Sequence, residues 1–255
     1  MPRYTSFGQS DVGRVRKHNE DAFIIDDSLG LYVVADGLGG HAAGEVASEE
    51  AVYNIRGWVR RERPKVESLI TDPYDVDQQN VAEQILRGAI QAATYLIHSM
   101  AEFDETKAGM GTTTSVLLLL GRVAVVAQVG DSRIYLARDG QIAQITDDHT
   151  LIAMQIREGM LTEEEAKHAP HRFVITRAVG SHEYVEVDTR VVETVPGDRF
   201  LLCTDGLHGY FEETEEILEY LALPAEQATR SLIDTAIARG GRDNITAIVV
   251  EVEEV

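Results

Sequence analysis

The chain has 255 residues, 44% hydrophobic and 26% charged, with 23 basic side chains against 43 acidic ones and a formal net charge of −20. That is enough apolar material for a sizeable core without crosslinks, and the acidity opposes general nucleic-acid binding, which needs a basic footprint. A single cysteine, Cys203, excludes an internal disulfide and a zinc–thiolate cluster, and fits a reducing cytoplasm.

The elements follow in chain order. Strands are expected over residues 4–9, 22–26 and 31–35, then a helix in which Ala43, Ala47, Ala51, Ile55 and Trp58 recur at helical spacing. Residues 60–79, charged and Pro-containing, read as an exposed connection. Ile85, Ala89, Ala92, Leu96, Met100 and Phe103 mark a second amphipathic helix. The centre turns to strands at 112–120, 122–129, 132–137 and 141–145, with Gly121 and Asp139-Gly140 as hairpin turns. Residues 147–177 are polar and helical, with Thr162 as an N-cap. Strands return at 185–192 and 198–204, the second holding Cys203 as a buried structural thiol. Helices at 213–221 and 225–238 precede a last strand at 245–250. The apolar run at 116–120 is far too short to span a membrane, and the N-terminus lacks a signal-peptide core, so a soluble, cytoplasmic protein is expected. No linker or repeat divides the chain, and one domain over residues 1–255 is predicted. Antiparallel hairpins with helices in pairs predict an α+β architecture of two packed sheets covered by helices.

Two segments carry the chemistry. Leu31-Tyr32-Val33-Val34-Ala35-Asp36-Gly37 and Phe200-Leu201-Leu202-Cys203-Thr204-Asp205-Gly206 are apolar strands that end on an Asp followed by Gly. Each holds a carboxylate at the rim of a core, and the Gly is expected to let the backbone turn sharply there. Gly241-Arg242-Asp243-Asn244 and Gly130-Asp131-Ser132 add two more acidic turns at strand ends. Converging carboxylates make an oxygen-only site suited to Mg²⁺ or Mn²⁺ rather than zinc.

Six motifs then stand in order: Arg16-Lys17-His18-Asn19-Glu20-Asp21; Val34 to Glu45 through Asp36-Gly37 and Gly39-Gly40-His41; Met110-Gly111-Thr112-Thr113; Val129-Gly130-Asp131-Ser132-Arg133; Cys203-Thr204-Asp205-Gly206-Leu207; and Gly241-Arg242-Asp243-Asn244. In this order they resemble the metal-dependent protein phosphatases of the protein phosphatase 2C type, over residues 4–250, in their compact bacterial form. The resemblance implies an α-β-β-α sandwich of two antiparallel sheets flanked by antiparallel helix pairs. It implies Mn²⁺- or Mg²⁺-dependent hydrolysis of phosphoserine and phosphothreonine by attack of a metal-bridging hydroxide. Asp36 would bridge two metals, with Asp205 and Asp243 completing one and the Gly37 carbonyl ligating the other. Asp131 and Asp21 resemble the holders of a third metal, although a turn cap and an acceptor for metal-bound water are their other readings. Glu20 reads as an outer partner of the site.

Arg16 matches the family's phosphate-binding arginine, whose guanidinium fork suits two phosphoryl oxygens. His41 is the candidate general acid for a poorly leaving alkoxide, against a helix-start His with no catalytic role. His149 reads as structural. Residues 150–177 resemble a flap beside the active site, with His168, His171 and Arg172 as candidate substrate contacts. The implied partners are phosphorylated proteins made by a Ser/Thr kinase, with no nucleic acid and no membrane. Three alternatives were weighed. A haloacid-dehalogenase-type phosphatase needs a second Asp two residues after the first, where Leu38 stands. A non-catalytic binding relative would have lost metal-binding Asp residues, and none is missing. A single-partner regulatory phosphatase shares the same fold and chemistry.

Overall fold

The structure, a computed structural model, describes residues 2–39, 42–166, 169, 171, 174–211 and 213–255. Its strands are β1 (Arg3–Asp11), β2 (Asp21–Asp26), β3 (Leu31–Leu38), β4 (Gly111–Thr112), β5 (Thr114–Leu120), β6 (Val123–Val129), β7 (Arg133–Arg138), β8 (Gln141–Gln144), β9 (Asp188–Glu193), β10 (Arg199–Cys203) and β11 (Ile245–Glu254). Its helices are α1 (Ala42–Glu62), α2 (Val76–Phe103), α3 (Leu151–Arg157), α4 (Glu163–Ala166), α5 (Asp205–His208), α6 (Thr214–Leu221) and α7 (Ala225–Arg239). One sheet runs β1-β11-β10-β7-β8; the other runs β2-β3-β5-β6-β9, with β4 paired to β3. All the pairings are antiparallel.

The layering follows from the two faces of each central strand. In β3, Leu31, Val33 and Ala35 face the cluster built with α1 and α2, while Tyr32 and Val34 face the opposite sheet. β5 divides the same way, with Val116, Leu118 and Leu120 toward the helices and Leu117 and Leu119 toward the sheet. In β10 and β11, Leu201, Cys203, Ala247 and Val249 meet α6 and α7, and Phe200, Leu202, Ile248 and Val250 meet the inner face of the β2-β3-β5-β6-β9 sheet. A strand buried on both faces reads as an unbroken apolar run. Each of its large side chains contributes about 1.5–3 kcal/mol on leaving water. The result is helices, sheet, sheet, helices: the expected α-β-β-α sandwich.

Local chemistry sets the boundaries. The Asp75 side chain accepts from the Gln78 N–H and caps α2. Asp139 and Gly140, both at positive φ (51° and 73°), close the β7–β8 hairpin. Thr162 and Glu165 form a reciprocal capping box at α4.

One expectation fails. Residues 60–79 are not simply an exposed connection, because α1 continues to Glu62 and a 3₁₀ turn, Arg63–Ile70, buries Val66 and Leu69 fully. Two apolar residues spaced three apart were hidden among charges. Among the described residues, no helix is long and apolar enough to cross a membrane.

Candidate metal centre

β3 and β10 lie on facing sheets and touch, and the carboxylates at their ends meet at one rim of the sandwich. The β2–β3 register sets Asp21 directly opposite Asp36. Asp36 is fixed through its backbone: its N–H donates to Thr113 Oγ1 (3.0 Å), and its carbonyl accepts from Thr113 N (2.9 Å) and Thr112 Oγ1 (2.8 Å). Thr113 Oγ1 also bonds Ser132 Oγ at 2.7 Å, which ties the Asp36 strand to the Asp131 turn.

The two Asp-Gly pairs differ from the sequence expectation. Neither Gly37 nor Gly206 has positive φ; Gly37 continues a strand and Gly206 enters α5. Both are glycines for lack of room. A Cβ at Gly37 would stand 2.2 Å from the Gly44 carbonyl oxygen, and one at Gly206 1.9 Å from that of Asn244. These close approaches bring the strand ends and the 243–244 turn together.

Asn244 organises the other edge. Its Nδ2 donates to the Val12 and His18 carbonyls (3.1 and 2.9 Å), and its Oδ1 accepts from Glu20 N at 2.8 Å. The loop carrying Arg16 is thus anchored next to Asp243, and Arg16 Nη2 donates to Asp243 Oδ2 at 2.7 Å. Arg16 is half exposed, with further N–H groups on its five-donor fork. At the opposite side, His208 Nε2 donates to the Asp131 carbonyl (2.9 Å). His149, buried, accepts from Gly130 N through Nδ1 (3.1 Å), and its Nε2 bonds Asp188. His149 therefore braces the Asp131 turn.

Apart from the Arg16–Asp243 pair, charge at this rim is uncompensated. Among the described residues, no Arg, Lys or His forms an ion pair with Asp21, Asp36, Asp131 or Asp205. Burial, followed by the charges of Asp21, Asp205, Asp131 and Asp243, holds Asp36 well above the usual carboxylate range. Burial pushes Asp21 up to about 7, against the hydroxyls of Thr246 and Thr204 and with Asp205 and Asp243 adding to it. Asp131 is also pushed up to about 7, by burial and then by Asp205 and Asp148. Asp205 is raised by burial and Asp243, and a hydrogen bond from Asp36 partly offsets this. Burial also raises Glu20.

The residues fit divalent cations on this structure's own terms. Asp21 Oδ2 accepts from Thr246 and Thr204 (2.6 and 2.9 Å), but the buried Asp21 Oδ1 and Asp205 Oδ1 have no hydrogen-bond partner. Orphaned buried oxygens amid like charge are the signature of a missing cation. Among the described residues, no three His, Cys, Asp or Glu side chains form a ready-made cage.

His41 and the flap residues His168 and Arg172 lie outside the described residues; His171 is exposed. The sequence reading missed the hydroxyls of Thr112, Thr113, Ser132, Thr204 and Thr246 and the bracing role of Asn244. Their one signal was polar, hydroxyl-bearing residues, each buried at or beside the end of an otherwise apolar strand.

Comparison with known proteins agrees with this architecture. The family model for protein phosphatase 2C matches residues 13–239. Serine/threonine phosphatase stp of Listeria monocytogenes is 38% identical over 252 residues, covering 95% of this chain and 94% of that protein. Serine/threonine protein phosphatase PstP of Mycobacterium tuberculosis is 39% identical over 246 residues, which is 96% of this chain but 44% of that longer protein. The crystal structure of the PstP catalytic domain in complex with two manganese ions superposes with a TM-score of 0.84 at 34% identity, covering 100% of both chains.

Proposed function

The chain belongs to the protein phosphatase 2C family, and we propose that the carboxylate rim described above is its catalytic centre. The protein is a metal-dependent serine/threonine protein phosphatase that uses Mn²⁺ or Mg²⁺. The observation that carries the location of the site is the set of buried, unpaired carboxylates with orphaned oxygens on Asp21 and Asp205.

Asp36, Asp205, Asp243 and the Gly37 carbonyl would hold two cations, with Asp131 and Asp21 beside them for a third. When bound, the cations would lower the pKa of a water and withdraw charge from the phosphoryl oxygens. The chain's own residues do the rest. The Thr113–Ser132 hydroxyl link keeps Asp36 and Asp131 in register. The Thr204 and Thr246 hydroxyls hold Asp21 through Oδ2, leaving its Oδ1 without a hydrogen-bond partner. Arg16 stands at the mouth with donors for two phosphoryl oxygens, and Asp243 orients its fork. His41 remains the proposed proton donor to the leaving oxygen. Residues 150–177 form the proposed flap of a single catalytic domain. Action in the cytoplasm against the products of a Ser/Thr kinase completes the reading. A non-catalytic role is not favoured, because the full carboxylate set is retained.

Hydrolysis of a phosphothreonine peptide, measured with Mn²⁺ and then with EDTA in excess, tests it. Turnover with Mn²⁺ and its loss in chelator is expected. Turnover that persists in chelator would refute the metal-dependent site.

A further inference from the structure

A cavity of about 410 Å³ opens beside the carboxylate rim, with Asp131 and Asp205 on its edge. Ile152, Ala153 and Ile156 of α3 form one wall, and Phe211, just past α5, forms another. Arg133 and Asp148 also line it. Apart from the Asp131 and Asp205 carboxylates at the edge, the side-chain polar groups in this lining are already engaged. Arg133 reaches Asp148 through Nε (3.0 Å) and Nη2 (2.7 Å) and Tyr135 OH through Nη1 (3.0 Å). Asp148 Oδ1 also accepts from Gln144 Nε2 (2.9 Å). His208 Nε2 donates to the Asp131 carbonyl. The Thr150 hydroxyl caps α3 by accepting from Ala153 N.

A ligand entering this cavity therefore meets apolar side chains and spent polar groups. Away from the Asp131 and Asp205 carboxylates at the cavity's edge, its side-chain polar groups are already bonded, and a polar group buried there would go largely unsatisfied. We infer that this cavity is a specificity subsite for an apolar side chain of the phosphoprotein substrate, close in sequence to the phosphorylated residue. The inference rests on the carboxylate rim being the catalytic centre. Because the cavity and the rim share Asp131 and Asp205, and an extended chain advances about 3.3–3.6 Å per residue, the apolar residue falls within about three positions of the phosphothreonine. Shape and apolar area, not charge, set the preference at this position.

The test uses the Mn²⁺-loaded full chain and phosphothreonine peptides that differ only by Leu or Ser at each of the three positions on either side. At one position, Leu should raise kcat/KM over Ser by about tenfold or more. Ala153→Phe, which fills the cavity, and Ile156→Ser, which roughens its wall, should each collapse that Leu/Ser ratio toward one. The ratio is independent of how much of a variant folds. A ratio near one at every position in the wild type, or a ratio that survives both substitutions, would overturn the subsite. p-Nitrophenyl phosphate assayed in parallel separates the failures. Its hydrolysis without any peptide preference rejects the subsite alone, whereas no hydrolysis of any substrate rejects the catalytic reading and the subsite with it.

Discussion

Two groups of buried and half-buried carboxylates sit in this sandwich and receive opposite treatment. Away from the rim, each buried acid has its cation. Asp198, fully buried, takes a bidentate fork from Arg138 (2.6 and 2.6 Å) and the Val195 N–H; Asp26 takes Arg56 Nε at 2.7 Å. At the rim, Asp21, Asp36, Asp131 and Asp205 face one another, and their protons stay on to higher pH. The same chain pairs its acids where they serve the fold and leaves them bare at the rim proposed to hold cations. Bare buried charge is destabilising, and the proposed cations would relieve it.

The widest separation between the two groups comes from removing a charge in each. Asp36→Asn should abolish turnover, a larger loss than the roughly 10–100-fold typical of outer-shell changes. Yet the metal-free Asp36→Asn protein should unfold at a higher temperature than the metal-free wild type at pH 8, since a buried repulsion is gone. A chelated variant that melts below wild type would erase the distinction.

pH sharpens the comparison next. Carboxylates titrate near pH 4 in an unfolded chain, whereas Asp21 and Asp131 titrate at about 7 when folded. Between those values the folded protein holds protons that the unfolded chain releases. The contribution is full below about pH 4 and lost as pH rises through 7. Metal-free stability should fall by on the order of a few kcal/mol from pH 5 to pH 8, as read by denaturant melts in EDTA. A flat or rising profile would contradict the assigned protonation.

Arg138→Met tests the paired group. It strands the buried Asp198 carboxylate and should cost about 3 kcal/mol of stability, while kcat per folded molecule stays near wild type because neither residue adjoins the rim. A loss below about 0.5 kcal/mol would place this pair among the inconsequential ones.

Arg16→Ala should cost about 1.5–3 kcal/mol in substrate binding, near a ten- to hundredfold rise in KM. An unchanged KM for phosphopeptide would remove Arg16 from phosphate recognition.

The sequence disclosed the paired and bare groups unequally. The strands were legible because Leu31 to Ala35 and Phe200 to Cys203 are buried on both faces and so are apolar throughout. Asp36 and Asp205 were legible because each ends such a run, and Asp131 and Asp243 because each stands in a turn at a strand end, whereas Asp21 came only from the family resemblance. Partners were not. Nothing in residue order joins Asp198 to Arg138 or Asp148 to Arg133, since cross-strand geometry makes those pairs. Val66 and Leu69 were lost among the charges around them, and the reason for Gly37 and Gly206, crowding by distant carbonyls, lies in tertiary contacts that no local pattern carries.

The bare carboxylates are proposed to hold divalent cations. Thermal unfolding of the chelated protein with and without Mn²⁺, in wild type and in Asp36→Asn, tests this most directly. At Mn²⁺ near 100 times its dissociation constant, binding should stabilise the wild type by about 2.7 kcal/mol per site, and Asp36→Asn should gain little. No shift in the wild type, or an equal shift in both proteins, would contradict the account.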